Sequence, residues 1–305
     1  MRWRGNRQSS NIEDRRGMRA AMGRVGGRGG MLRLLPLVYR LLGFKGSVIA
    51  VLGLVGYGYF TGDIDQFLNN SVLGGKQQSS ATQKVQQSAE EKQLKQFISV
   101  VLADTEDTWH MLFNKMGKKY QEPRLVLFRK AVNTACGTGA AQMGPFYCPS
   151  DQKVYIDLSF YDDLKNRHKA PGDFAQAYVI AHEVGHHVQT ITGISTKVQR
   201  AKKKLSQVKA NQLSVKQELQ ADCYAGLWAH HANLSRKILE SGDIEEGLVA
   251  ASAIGDDRLQ KQSKGYVTPD SFTHGSSDQR VKWFKTGLEK GTLKECDTFN
   301  SIIES

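Results

Sequence analysis

Apolar and polar positions change period several times along the chain. Residues 5–30 are rich in Gly and Arg with no apolar period, which predicts disorder. Residues 31–44 are apolar, broken by Arg33, Pro36 and Arg40. Residues 46–60 carry no charge, and Thr61 and Gly62 extend that run to Asp63. This predicts one transmembrane helix over 46–62, with Tyr57, Tyr59 and Phe60 at an interface. A polar Gln/Ser/Lys linker follows over 63–89, and a folded domain is expected over 90–305. Within it Leu94, Phe97, Ile98, Val101, Trp109, Leu112, Phe113 and Met116 keep a helical period, ended by Gly117. Residues 124–128 and 154–160 read as strands, the second a candidate edge on which an extended peptide could pair. Phe174, Ala177, Tyr178 and Ala181 form one stripe of a helix, with Asp173 as N-cap and Gly193 at its end. Ser214 with Gln217, and Asp243 with Glu246, predict two further helix starts. The class expected is α+β, mainly helical, with a small sheet.

Charge alters this picture only at the start. The net charge is +12, and residues 1–45 hold eleven Arg or Lys against Glu13 and Asp14, a net +9. The excess belongs to a tail, so the folded part is nearly neutral. A basic flank before an apolar run predicts that residues 1–45 stay in the cytoplasm. A single-pass anchor in the inner membrane of a bacterial cell then places the domain in the periplasm or outside. Few aromatics interrupt the tail, which argues against nucleic acid as its partner. The lysines over 197–209 read as a solvated helix face.

The candidate chemistry lies in His182-Glu183-Val184-Gly185-His186. On a helix the two histidines share one face a turn apart, a spacing that lets both imidazoles bind one Zn2+. Glu183 is placed as general base toward a water. Downstream, Glu218 and Asp222 also share a helix face, and the adjacent small residues Ala221, Ala225 and Gly226 suggest a close helix crossing. Glu218 is the expected third metal ligand, and Asp222 the acceptor that orients a ligand imidazole. His274 precedes a helix carrying Arg280. It is a candidate donor to an oxyanion, or a histidine that holds a loop. His187, His230 and His231 read as structural. Cys136 and Cys148 flank a Gly-rich loop, and Cys223 and Cys296 complete an even count. Two disulfides or four buried thiols both fit.

Several blocks carry a family resemblance. They are Met1-Arg2-Trp3-Arg4-Gly5, residues 11–17, 143–149 and 155–161, the zinc helix, residues 218–226 and 254–258, and Phe272-Thr273-His274-Gly275. The chain resembles the bacterial, membrane-anchored neutral zinc metallopeptidases over nearly its whole length. Its site pattern is similar to that of gluzincin peptidases, although Gly275 stands where those often have proline. The resemblance implies a zincin-like domain, His182, His186 and Glu218 as zinc ligands and Glu183 as base; it implies no substrate, and the reaction expected from the site is hydrolysis of a peptide or protein by a zinc-activated water. A non-catalytic, membrane-tethered binding protein with a structural zinc is the alternative, as is hydrolysis of a non-peptide amide. An open coordination place favours the enzyme; a fourth protein ligand such as His187 favours the binding protein. Oligomeric state leaves no mark in the sequence.

Overall fold

The helical period after residue 90 is realised as α1, Ala89–Lys115, opened by a capping box between Ser88 and Glu91. Its apolar stripe buries Phe97, Ile98, Val101, Leu102, Trp109 and Phe113. The structure, a computed structural model, describes residues 1–18 and 88–299. The expected span at 46–62 lies outside the described residues, among which no helix is long and apolar enough to cross a membrane.

Beside α1 lies a four-stranded sheet in the order β1-β2-β6-β5. It comprises β1 Ile12–Asp14, β2 Arg124–Phe128, β5 Phe146–Cys148 and β6 Lys153–Asp157. β2 is parallel to both β1 and β6, in the register Ile12↔Leu125 and Leu125↔Val154, while β5 is antiparallel to β6. A separate hairpin pairs β3, Ala131–Thr134, with β4, Gly137–Ala140. Two strand expectations change. The strand expected over 154–160 stops at Asp157, whose carboxylate accepts the backbone N–H groups of Lys130 and Ser159. The chain then turns into α2, Ser159–Asn166. Nor is that strand an edge: β2 and β5 cover both sides, and β5 takes the edge position.

The remaining helices are α3 Asp173–Ile191, α4 Ile194–Lys202, α5 Gln207–Arg236, α6 Asp243–Ala253, α7 Asp256–Lys264 and α8 Ser277–Lys290. The expected start at Ser214 is two turns late. α5 begins after Ser206, and Ser214 sits inside it, bonding back to Ala210 O at 3.2 Å. Asp173 and Asp243 are first helical residues rather than N-caps, which are Gly172 and Gly242. Helix α5 crosses its neighbours at close range. A Cβ on Gly185 of α3 would lie 3.1 Å from Ala221 Cα, and one on Gly287 of α8 only 1.9 Å from Cys223 O. The small residues therefore set how near Glu218 and Asp222 come to α3.

Both disulfides form. Cys136–Cys148 ties the β3–β4 hairpin to β5, and Cys223–Cys296 ties α5 to a 3-10 turn 73 residues on. Closing the longer loop stabilises the fold by about 4 kcal/mol on the chain-entropy model.

The expectation of disorder from residue 5 does not hold for residues 5–18. They form an arm packed on the domain. Met1 and Trp3 are buried in the main core, with Trp3 edge-on to Phe97 at 5.4 Å. Ser9 donates its N–H to Ser99 O (3.0 Å), and Ser99 Oγ donates back to Ser9 O (2.9 Å). Arg7 bonds Glu106 and Asp107, and Arg16 grips Asp14 with two nitrogens. The α-amino group of Met1 lies 2.9 Å from Asp173 and 3.1 Å from Asp243, at the starts of α3 and α6. With one short strand and two apolar anchors, the arm has too few turns of any period to betray its order.

Candidate metal centre

Helix α3 presents His182, Glu183 and His186 because 3.6-residue periodicity stacks positions i and i+4. Helix α5 presents Glu218 and Asp222 by the same rule, and the Gly185–Ala221 crossing brings the two faces together. Glu218 Oε2 lies 3.2 Å from His182 Nε2 and 3.3 Å from His186 Nε2. Two ligands on a tetrahedral zinc with bonds near 2.05 Å sit roughly 3.3 Å apart. The two nitrogens and one oxygen thus suit zinc in both chemistry and spacing, and among the described residues these three form one candidate metal-binding group. The two imidazoles meet nearly edge to face, with ring centroids 4.8 Å apart.

Each ring is held by its far nitrogen. His182 Nδ1 donates to Asp222 Oδ1 at 2.8 Å. His186 Nδ1 donates to Gln189 Oε1 at 2.9 Å, since the Gln189 amide nitrogen is spent on Gln217 O and Gln220 Oε1. In the neutral rings, both Nε2 lone pairs therefore face Glu218. Asp222 is fully buried and takes four hydrogen bonds: one from His182, one from the Tyr178 hydroxyl, and two from Arg280, whose Nε and terminal nitrogen each lie 2.8 Å away. Arg280 is 2 % exposed. The structure places Asp222 against the far nitrogen of the His182 ring, while the contacts made by Tyr178, Gln189 and Arg280 escaped the sequence. Tyr178 is four residues before His182 and Gln189 three after His186, so helical spacing was their one signal. Arg280 reaches the site from α8, and the sequence marked it only as a residue of the helix after His274.

The charges respond to this crowding. Burial alone would push the His186 ring down, yet the Glu218 carboxylate beside it raises it to about 10. His182 rises too, with Asp222 and Glu218 outweighing burial. The imidazoles in turn hold Glu218 well below the usual carboxylate range against the effect of burial. Metal would compete with protons here, so binding should release them. Glu183 is 7 % exposed, and burial raises its pKa although both imidazoles pull it down. A carboxylate raised toward neutrality suits a general base.

His274 stays outside the ligand group. Its ring is half exposed, with Nδ1 3.2 Å from Asp256 Oδ1 and 3.1 Å from Thr273 Oγ1. Asp256 also accepts the backbone N–H groups of Thr273, His274 and Gly275. Its hydrogen bond raises the His274 pKa, and Glu218 adds to the rise, which places the ring within electrostatic reach of the centre. Gly275 has φ 97° and donates its N–H to Asp256, and proline can do neither. Its departure from the gluzincin block follows from this loop path. The other histidines are tethered. His187 uses both ring nitrogens, toward the Tyr147 hydroxyl (3.1 Å) and Gln121 O (2.6 Å). His230 and His231 bond to Leu288 O and Gly291 O.

Comparison with known proteins agrees with this centre. The chain is 48% identical over 303 residues to the uncharacterized protein YpfJ of Escherichia coli (strain K12), covering 99% of this chain and 100% of that one. It is 41% identical over 192 residues to the uncharacterized protein Mb2605 of Mycobacterium bovis, covering 60% of this chain and 64% of that one. No solved structure matches. A family model described as "Putative neutral zinc metallopeptidase" matches residues 1–299, so both the arm and the centre lie within the match. The chain belongs to that zinc metallopeptidase family.

Proposed function

We propose that the domain hydrolyses peptide bonds in a protein or peptide substrate with one zinc ion held by His182, His186 and Glu218. The carrying observation is the convergence of those three ligand atoms, each imidazole anchored behind by Asp222 or Gln189. A zinc ion bound there supplies a Lewis acid that polarises a carbonyl and lowers the pKa of water to roughly 7. Glu183, buried beside the ligands, takes a proton from the attacking water and returns one to the leaving amine. His274, held by Asp256 and with its pKa raised by that hydrogen bond, is the candidate donor to a developing oxyanion. The edge strand β5 offers a backbone row for an extended peptide, replacing the interior strand as the candidate docking edge.

Against a purely structural zinc stands His187, the candidate fourth ligand, whose nitrogens are both engaged elsewhere. Hydrolysis of a non-peptide amide would use the same groups and is separated by a substrate screen of peptides and cell-wall amides. The two disulfides favour an oxidising compartment for the domain, in keeping with the periplasm or cell exterior. The decisive experiment is Glu183→Gln in the full chain, with zinc content and peptide turnover measured together. Zinc should be retained while turnover falls about 10²–10⁴-fold. Equal turnover would remove Glu183 as the base.

A further inference from the structure

The lysines over 197–209 read from the sequence as a solvated helix face, and the structure gives them a more particular setting. Helix α4 ends at Lys202 and α5 begins at Gln207, so Lys202, Lys203, Lys204 and Lys209 crowd the tip of a helical hairpin. The inner side of α4 is tied down near the metal centre. Ser195 Oγ meets Thr190 Oγ1 and Gln217 Nε2, each at 3.2 Å, and Lys202 Nζ donates to Ser214 Oγ at 2.6 Å. Lys197, Arg200, Lys203, Lys204 and Lys209 are exposed and make no ion pair among the described residues. Cations elsewhere have acids beside them, as Arg16, Arg129 and Arg236 do. Here acids are absent from the chain itself: residues 184–217 hold seven Lys or Arg and no Asp or Glu.

Two apolar side chains stand among these cations. Leu205 is 39 % exposed and Val208 38 %. The N-cap of α5, Ser206, makes no side-chain bond to the first turn, so the positive end of this long helix adds to the potential at the tip. The make-up of the tip selects among anionic partners. Nucleic acid calls for aromatic side chains that stack on bases, and none occurs from residue 179 to 223. Protein interfaces favour Tyr, Trp and Arg and are poor in Lys, the reverse of what stands here. A lipid surface asks for flexible lysines over its headgroups and apolar side chains that dip below them, and the tip offers both.

We infer that the turn between α4 and α5 is a docking tip for an anionic lipid surface, with Lys203, Lys204 and Lys209 on the headgroups and Leu205 and Val208 beneath them. Glu218 follows Gln207 by eleven residues of α5, about 16 Å along the helix. A docked tip therefore holds the metal centre close above the lipid. No part of this depends on the zinc centre being catalytic.

The test uses the full chain with an environment-sensitive dye on a thiol introduced at Leu205→Cys, or at exposed Lys285→Cys on α8 as the reference. The four native cysteines are paired, so the new thiol is the reactive one. A dye at residue 205 reads the tip itself, whatever else of the chain reaches the vesicle. Phosphatidylglycerol vesicles should shift its emission to the blue, phosphatidylcholine vesicles should not, and the dye at residue 285 should stay unchanged with both. Each lysine at such a surface strengthens binding about fivefold, so Lys203→Gln, Lys204→Gln and Lys209→Gln together should raise the lipid needed for half the shift about 100-fold. The same number of charges removed at Lys282, Lys285 and Lys290 of α8 should change it less than about twofold. No shift at residue 205 on phosphatidylglycerol overturns the inference, as does an equal shift at residue 285. An equal loss from the two lysine sets overturns it too, because net charge alone would then explain the binding. Soluble polyglutamate bound as tightly as the vesicles, read by dye anisotropy, would assign the tip to acidic chains instead of lipid.

Discussion

The arm and the metal centre are both built from basic groups set against buried carboxylates, yet they use them differently. In the arm the cations are set against acids, as Arg16 against Asp14 within the arm and Arg7 against Glu106 of α1. Contacts such as Arg7–Glu106 and Asp14–Lys95 fasten the arm to the domain. In the centre the basic nitrogens and the carboxylate oxygen turn toward a common point, while outer partners hold each ring from behind. The first arrangement stabilises a fold. The second spends folding energy on crowding groups that an ion would bind, which is what a preorganised site requires. If this contrast is right, the two regions should fail in different ways.

The largest effect is expected at Trp3→Ala, a loss of about 3–5 kcal/mol of stability through a cavity in the core. Denaturant unfolding measures it, and the folded fraction should bind zinc as tightly as before. Loss of zinc affinity in folded protein would show that arm and centre are one energetic unit. Next comes Glu218→Ala, which should weaken zinc binding more than about 100-fold, beyond the range of outer-shell changes. Chelator competition reads it, and unchanged affinity would place the third ligand elsewhere. Gln189→Ala frees the His186 ring behind its ligand nitrogen and should weaken zinc about 10–100-fold, with Glu183 untouched. An unaltered chelator curve would reduce Gln189 to a packing residue.

The smallest effect sharpens the arm's side of the contrast. Glu13 is held down to about 2, chiefly by its hydrogen bond from Arg15, with Lys153 adding to it. A depressed carboxylate contributes stability above its ordinary pKa of 4.5 and loses it as pH falls toward 2. Glu13→Gln should therefore cost at most about 1 kcal/mol at neutral pH, as befits a half-buried pair still reached by solvent. The gap in melting temperature should close between pH 4.5 and 2. A gap that persists at pH 2 would assign the effect to packing rather than charge.

Where sequence reading succeeded, the information was local. His182 with His186, and Glu218 with Asp222, are each four apart, and a helix turns that spacing into a shared face whatever surrounds it. The period of α1 and the β-rich run of β2 were legible for the same reason. Where it failed, distant partners decided. Asp157 ends a strand because Lys130 and Ser159 bring their N–H groups to it. Ser214 resembles a helix start, but α5 already runs from Gln207. The basic residues of the arm resemble a solvated tail until Glu106 and Asp107 on α1 are seen beside Arg7.

By itself, then, the sequence determined which side chains share a helix face and hence the donor set of the centre. Only the tertiary structure decided that the two faces meet, because Gly185, Ala221, Gly226 and Gly287 let α5 approach its neighbours at backbone distance. It alone also brought Arg280 to Asp222 across 58 residues and the first eighteen residues onto a domain that begins seventy residues later. Spacing along one helix is a property of the backbone. Contact between segments far apart in the chain comes from burying surface that neither segment displays alone.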